Sequence, residues 1–121
     1  MYEVIVTDFF EKNLKYYKKK LSKPGYKELE SKLENIYDDL QQGKFDGDTV
    51  YASKDSMDKA IKLRIGIKKM NLGQSNGMRC IYYVVNEDNE VYIITIYMKA
   101  DMDPSSSELK SVIEKVISDY M

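Results

Sequence analysis

The residues that could do chemistry are concentrated in one basic segment. Residues 59–85 carry six Lys or Arg side chains and no carboxylate, although the whole chain has a formal net charge of only −1. The segment reads as two strand-like runs joined by a loop that contains Gly, Asn and Ser. Cationic side chains gathered on neighbouring strands form a surface that attracts phosphate groups. The segment therefore predicts contact with a nucleic acid.

These side-chain types suit the cleavage of RNA by its own 2′-hydroxyl group. An arginine or lysine can stabilise the charge that develops on the phosphate, which is worth about 10²–10³ in rate for one well-placed donor. A tyrosine, or a lysine with a lowered pKa, can transfer the proton, which is worth about 10²–10⁴. Neither step needs a metal ion or a histidine. The chain supplies Lys62, Arg64, Arg79, Tyr97 and Lys99 for these roles.

Composition excludes several other kinds of site. The chain has no histidine and a single cysteine, Cys80, so it can form no internal disulfide and lacks the usual ligands of a zinc site. We expect no metal ion and no cofactor. With 121 residues, we expect one domain, residues 1–121. No apolar run approaches the roughly 20 residues that span a bilayer, and the N-terminus does not read as a signal peptide. We therefore expect a cytoplasmic protein without membrane contact.

Hydrophobic periodicity predicts an α+β domain with the order β-α-α-β-β-β-β-α. Asp8, with Glu11 three residues later, is predicted to begin the first helix, and Pro24-Gly25 to separate it from the second. Ser105 and Glu108 form a second capping-box pattern at the start of the last helix. A helical hairpin should pack on a twisted antiparallel sheet. The predicted strands and second helix are Tyr2–Val6, Tyr26–Gln42, Thr49–Ser53, Ala60–Lys68, Met78–Asn86 and Glu90–Lys99.

The strand over residues 60–68 is predicted to have one apolar face and one basic face, because Lys62 and Arg64 alternate with aliphatic residues. Whether Arg79 joins that basic face beside Tyr97 depends on the hairpin turn. A three-residue turn with Asn89 in the left-handed region places Arg79 opposite Tyr97, whereas a two-residue turn places them on opposite faces. We favour the three-residue turn, because it gathers the basic residues on one surface.

The last strand is predicted to divide in the same way. Tyr92, Ile94, Ile96 and Met98 should meet the helices, and the other face should turn polar toward Tyr97 and Lys99.

Each of these residues also has an ordinary structural explanation. A single Lys or Arg on a strand is usually a solvated side chain, and tyrosine is a favoured strand residue that often fills the core. An exposed tyrosine could instead stack a base, at about 1–3 kcal/mol for each base. The combination within one acid-free segment favours RNA binding, with Arg64, Lys68, Lys69 and Tyr83 as the predicted binding residues.

Three runs of sequence resemble the RelE/ParE toxin superfamily, and its HigB-like branch in particular. They are KLRI at residues 62–65, GQSNGMRCIYYV at 73–84 and IITIYMKAD at 93–101. The family pattern is a basic strand, a loop of type G-K-S-G-G-x-R, a strand that continues I-Y, and a closing strand that ends Y-x-K. The helical hairpin and the terminal helix also fit, so the resemblance covers most of the chain and implies the RelE-like fold.

The resemblance implies a toxin of a two-gene toxin–antitoxin module that cleaves mRNA, usually on the ribosome, without a metal ion. Its implied partners are a cognate antitoxin, mRNA and the ribosome. By position, Arg79 matches the transition-state arginine of the family. Lys62 and Arg64 match the basic strand, whereas Tyr97 and Lys99 match the closing Y-x-K.

The chain departs from the family pattern at three positions. Gln74 stands where the loop usually has lysine, Asn76 stands where it has glycine, and Met98 lies near the histidine of some HigB-type enzymes. Two other functions are therefore left open. One is a ParE-like toxin that inhibits DNA gyrase and cleaves nothing, and the other is a non-catalytic binding module.

Overall fold

The computed structural model describes residues 1–54 and 57–120 and contains five strands and three α-helices in the predicted order. The predicted α+β fold class is confirmed. No helix in the described ranges is both long enough and apolar enough to cross a membrane. The elements are β1 (Glu3–Val6), α1 (Asp8–Lys20), α2 (Lys23–Gln41), β2 (Asp48–Ala52), β3 (Lys59–Ile65), a 3-10 turn (Lys68–Met70), β4 (Met78–Val85), β5 (Glu90–Met98) and α3 (Ser106–Ser118).

The sheet is mixed rather than wholly antiparallel. Its strand order is β1-β5-β4-β3-β2, and only β1 pairs in parallel, with β5. β1 is a short edge strand, and the chain turns directly from it into α1. Thr7 ties that corner to the sheet, because its buried hydroxyl donates to the Ile93 carbonyl at 2.7 Å.

The first helix begins at Asp8, as predicted, whereas the second begins earlier than predicted. Thr7 caps α1, since its side chain accepts from the Phe10 N–H. Ser22 caps α2, so Pro24 and Gly25 lie inside the first turn of that helix rather than between the helices. Proline is well tolerated there because the first N–H groups of a helix have no partner within the helix. The Ser105–Glu108 capping box of α3 is confirmed.

The helical hairpin covers one face of the sheet. On this hairpin face, Tyr82 packs 6.4 Å from the ring of Phe45, which follows α2, and its hydroxyl donates to the Asp46 carbonyl. Cys80 and Ile96 lie opposite each other on β4 and β5 and are fully buried on the same face. An uninterrupted apolar core of this kind is what the alternation along β3 and β4 predicts.

The opposite face, which we call the α3 face, is partly covered by the C-terminal helix. Tyr92 of β5 packs 5.8 Å from the ring of Tyr120, and the Lys110 ammonium lies 5.7 Å from the ring centre of Tyr51 on β2. The amphipathic pattern of α3 predicts that one side of it is buried, and the structure shows that this side packs on the face that carries Arg79.

The predicted pairing of Arg79 with Tyr97 is confirmed, but it arises differently. The β4–β5 connection is a four-residue turn, Asn86–Asn89, with Asn89 in the left-handed region at φ 54°. A β-bulge at Ile94 of β5, opposite Ile81 and Tyr82 of β4, then shifts the register by one residue and brings Arg79 opposite Tyr97. The predicted faces of β5 are confirmed for Ile96 and Met98, but the bulge makes the prediction for Tyr92 wrong, because it places Tyr92 on the α3 face with Thr95 and Tyr97.

A matched pair of glycines tests the packing of the loop between β3 and β4. A Cβ at Gly77 would clash with the Ile65 carbonyl and lie 3.0 Å from that of Gly73, whereas a Cβ at Gly73 meets nothing within 4 Å. We expect Gly77→Ala to lower the free energy of unfolding by about 1–3 kcal/mol, the usual cost of overpacking. Gly73→Ala should change it by less than about 0.5 kcal/mol. Urea unfolding of both variants checks this, and equal stability would contradict the loop packing described.

Candidate nucleic-acid interface

Three of the predicted site residues lie in a row across three neighbouring strands. Arg64 of β3 is directly opposite Arg79 of β4, which is directly opposite Tyr97 of β5, all on the α3 face. We call these residues the Arg-Arg-Tyr row. Like charges on directly opposed strand positions repel each other, so the direct pairing of the two arginines does not itself stabilise the sheet. Asp48 on β2 offsets part of that charge, with its Oδ2 3.6 Å from Nη2 of Arg64 in an exposed ion pair.

Arg79, the central residue of the row, is buried and already hydrogen-bonded. Its side chain is 4% exposed. Nη1 donates to the carbonyls of Gln74 at 2.9 Å and Met78 at 3.2 Å, and Nη2 donates to that of Ser75 at 2.9 Å. A buried cation is costly unless such bonds compensate it. Arg79 is therefore the central residue of the row and also holds the loop over residues 73–77 in place.

Tyr97 is the last residue of the row, on β5, and it lines the floor of a cavity. Its side chain is 3% exposed, and its hydroxyl has no hydrogen-bond partner among the described residues. Burial raises the pKa of Tyr97, and Asp103 adds to this, whereas the nearby Arg79 charge opposes it. A phenol with a raised pKa stays protonated at neutral pH. Tyr97 is therefore neutral at neutral pH, where its hydroxyl can donate a hydrogen bond, although burial makes it a weaker acid than an exposed tyrosine.

The cavity above Tyr97 has a volume of about 590 Å³ and lies between α1, β5 and α3. Thr95 and Asn13 form one polar wall, with the Asn13 amide 3.0 Å from the Thr95 hydroxyl. On another side of the cavity, the Asp101 carboxylate accepts hydrogen bonds from the Lys20 ammonium at 2.5 Å and from the Tyr17 hydroxyl at 2.8 Å. The sequence did not point to this cavity, because its walls come from three separate elements.

Two further basic residues flank the row. Lys62 opposes Ile81 on the α3 face of β3 and is half-buried. Lys99 is exposed just after β5, and its N–H donates to the Gly77 carbonyl at 3.0 Å, so its backbone is joined to the end of the loop that Arg79 holds. The fold thus brings Lys62, Arg64, Arg79 and Tyr97 to one face, as the sequence predicted, and the backbone of Lys99 lies next to the loop that Arg79 holds.

Lys68 and Lys69 are not part of that region. β3 ends at Ile65 rather than at Lys68, and both lysines lie in the 3-10 turn that packs beside α2. Glu28 of α2 holds the turn by accepting from the N–H groups of Lys68 at 2.7 Å and Lys69 at 2.8 Å. Their side chains are exposed. Any contact they make with RNA would therefore come from the α2 side of the molecule.

Tyr83 lies on the α3 face but is half-buried against other side chains. Its ring centre is 6.1 Å from that of Tyr51. Burial raises the pKa of Tyr83, with smaller effects from Asp58 and from Glu114 of α3. Neighbouring carboxylates disfavour an approaching phosphate, so Tyr83 remains a prediction as an RNA-binding residue without support from its surroundings.

The fold that carries this row was compared with known proteins. No family model matches the chain, and no curated protein matches it. Among solved structures, the isolated RelE toxin of E. coli matches with a TM-score of 0.50 over 94% of this chain and 98% of that one, at 18% identity. The chain has the RelE fold. A RelE variant with two arginines replaced by alanine, in the free state, matches with a TM-score of 0.44, 18% identity, and coverage of 99% and 98%.

On this RelE fold, the two arginines of the row differ in what their removal should do. We expect Arg79→Ala to lower the free energy of unfolding by about 2–3 kcal/mol, because it deletes charge-assisted bonds to three carbonyls. Arg64→Ala should change it by less than about 0.5 kcal/mol, because it removes only an exposed ion pair. Denaturant unfolding measures both. Equal effects would show that Arg79 does not hold the loop.

Glu28 makes the 3-10 turn sensitive to acid. The N–H of Lys69, then Lys32 and the N–H of Lys68, lower the pKa of Glu28 from 4.5 to about 2. A carboxylate with a lowered folded-state pKa stabilises the fold above pH 4.5, and this contribution is lost as the pH falls toward 2. Glu28→Gln should therefore flatten the stability curve between pH 4.5 and 2. Glu34→Gln, an exposed change on the same helix, should leave it as in the wild type, and urea midpoints at each pH compare them.

Proposed function

We propose that this protein is a toxin of a two-gene toxin–antitoxin module and acts as a metal-independent endoribonuclease on mRNA. The observation that carries the proposal is the Arg-Arg-Tyr row, in which two cations and a protonated phenol lie side by side across β3, β4 and β5. The RelE fold supports it, as does the resemblance of the loop and flanking strands to the HigB-like branch.

The proposed reaction is attack by the RNA 2′-hydroxyl on the adjacent phosphate. The bond from O2′ to phosphorus forms, the bond from phosphorus to O5′ breaks, and the products carry a 2′,3′-cyclic phosphate and a 5′-hydroxyl. The phosphate gains charge at its non-bridging oxygens, which cationic donors stabilise. The attacking 2′-hydroxyl gives up its proton to solvent, the leaving O5′ takes one from the Tyr97 hydroxyl, and the phenolate is then reprotonated from solvent, so no net proton is consumed.

The exposure of each basic side chain determines how it would contact the RNA. Arg64 and Lys99 are exposed and can meet the RNA backbone directly, and the half-buried Lys62 can position it from the same face. Arg79 would contact the phosphate once its guanidinium exchanges the carbonyls of Gln74 and Ser75 for phosphate oxygens. RNA binding is thereby expected to move the loop over residues 73–77.

The same contacts of Arg79 favour a second candidate function, a toxin or binding module that cleaves nothing. If the guanidinium keeps its three carbonyl acceptors, it is a structural residue. The exposed cations would then recognise an acidic partner surface. Inhibition of DNA gyrase, as in ParE-like toxins, belongs to this class.

Mapping of 5′ ends in cellular mRNA shortly after induction separates the two functions. We expect new, reproducible cut sites with the wild type and at least tenfold fewer with the Lys62→Ala, Arg64→Ala double variant, because that variant loses phosphate contacts on the α3 face. Lys27→Ala, an exposed change on α2, is the matched control and should cut like the wild type.

Growth arrest with intact mRNA would contradict the ribonuclease function and support gyrase inhibition, which DNA damage would reveal.

The reading-frame phase of the cut sites reports whether the ribosome presents the mRNA. Rescue of growth by the product of an adjacent small gene would identify the cognate antitoxin. A toxin with an mRNA substrate would act in the cytoplasm.

RNA binding should depend on salt through the exposed cations. For single strands, each neutralised phosphate contributes a slope of about −0.7 when the logarithm of the binding constant is plotted against that of the salt concentration. We expect Arg64→Ala to reduce the slope by about 0.7 and Lys27→Ala to leave it unchanged. Fluorescence titrations of a labelled 12-nucleotide RNA measure this. A slope near zero for the wild type would show that the basic surface does not bind the RNA backbone.

A further inference from the structure

The last part of β5 has a helix, not a strand, along its outer edge. β1 pairs with β5 as far as Val6 opposite Ile93, and the chain then turns into α1. Further along β5, α1 takes the place of a strand, since the Met98 N–H donates to the Tyr17 hydroxyl at 2.9 Å. A buried backbone N–H needs an acceptor, which a neighbouring strand would normally supply. A side chain of α1 therefore completes the edge of the strand that carries Tyr97.

The same hydroxyl also holds the segment that follows β5. The Tyr17 hydroxyl donates to Oδ2 of Asp101 at 2.8 Å. The Asp101 N–H in turn donates to the Met98 carbonyl at 2.9 Å, which closes a turn. Lys99 lies inside this turn, so one hydroxyl holds the backbone before Lys99 and the carboxylate after it.

The state of the Tyr17 phenol allows both bonds at once. Its side chain is 4% exposed. Burial raises the pKa of Tyr17 to about 12, the bond from the Met98 N–H opposes this, and Asp101 adds to it. The phenol stays protonated at neutral pH, so it can accept from the backbone and donate to the carboxylate together. A phenylalanine would fill the same space without either bond, so the hydroxyl contributes position rather than volume.

We propose that Tyr17 is a positioning residue of the site and acts through Lys99, whose backbone its hydroxyl fixes beside the loop over residues 73–77. The proposal rests on the ribonuclease function and deepens it, because it gives a role to α1, which carries none of the predicted site residues. A misplacement of about 1 Å in a group that positions substrate can cost about 10²-fold in rate. In Tyr17→Phe the Lys99 ammonium keeps its charge but loses its fixed place. RNA binding should therefore persist while cleavage slows.

Single-turnover cleavage of a reporter mRNA in a bacterial translation extract, with the full chain in excess, tests the proposal. We expect Tyr17→Phe to lower the maximum rate at least fivefold and to leave the half-saturating protein concentration within twofold of the wild type. Tyr16→Phe is the matched control, because it makes the same change at a neighbouring side chain that is 56% exposed. It should change neither quantity.

A merely structural role gives the opposite pattern. Loss of folded protein would raise the half-saturating concentration and leave the maximum rate unchanged, and that result would overturn the proposal. A second test uses Lys99→Ala as the background, in which Tyr17→Phe should change the maximum rate less than twofold, because the group that it positions is gone. A full fivefold effect there would overturn the proposal, since Tyr17 would then act independently of Lys99.

The hydrogen bond itself has a readout apart from activity. In ¹⁵N-labelled protein, the Met98 amide proton should move upfield in Tyr17→Phe and stay in place in Tyr16→Phe, and an unmoved signal in both would overturn the proposal. Intact mRNA with the wild type would overturn the ribonuclease function and this role of Tyr17 together. Cleavage by the wild type with an unchanged rate in Tyr17→Phe would overturn the role of Tyr17 alone.

Discussion

The arrangement of the site depends on one buried interaction, between the guanidinium of Arg79 and the carbonyls of its own loop. A cation at 4% exposure persists only because Gln74, Ser75 and Met78 accept from it. The bonds fold the loop back over β4, where Gly77 lies too close to the Ile65 carbonyl to carry a side chain. Lys99 is joined to the same loop through its N–H. The guanidinium therefore fixes both its own position and that of its neighbours.

The sheet then determines what shares a surface with Arg79. Because a bulge shifts the pairing of β4 with β5 by one residue, Tyr97 lies opposite Arg79, and Arg64 completes the row from β3. Packing of α3 on this face encloses Tyr97, which raises its pKa, and leaves a cavity above Tyr97 beside α1. One face of the sheet thus carries both the basic residues of the row and the cavity that reaches its tyrosine.

The sequence predicted the element order well, because alternation along β3 and the stripe of α3 are local signals. It predicted the pairing of Arg79 with Tyr97 through a three-residue turn, although a four-residue turn and a bulge produce it. No glycine or proline marks that bulge. Lys68 and Lys69 were expected to join the RNA-binding residues but lie beside α2, because Glu28, 40 residues earlier, captures their N–H groups. Contacts of Arg79 with backbone carbonyls were not predictable either, since any residue supplies such an acceptor.

The central claim is that the Arg-Arg-Tyr row assists attack by the RNA 2′-hydroxyl, and the chemistry of the cut ends tests it most directly. The chain should be induced, and the ends of the resulting mRNA fragments should be analysed by ligation assays specific for each terminus. We expect a 2′,3′-cyclic phosphate on the upstream fragment and a 5′-hydroxyl on the downstream one. Ends with a 5′-phosphate and a 3′-hydroxyl would contradict it, because they require an attacking water rather than the 2′-hydroxyl, and so would mRNA that remains intact.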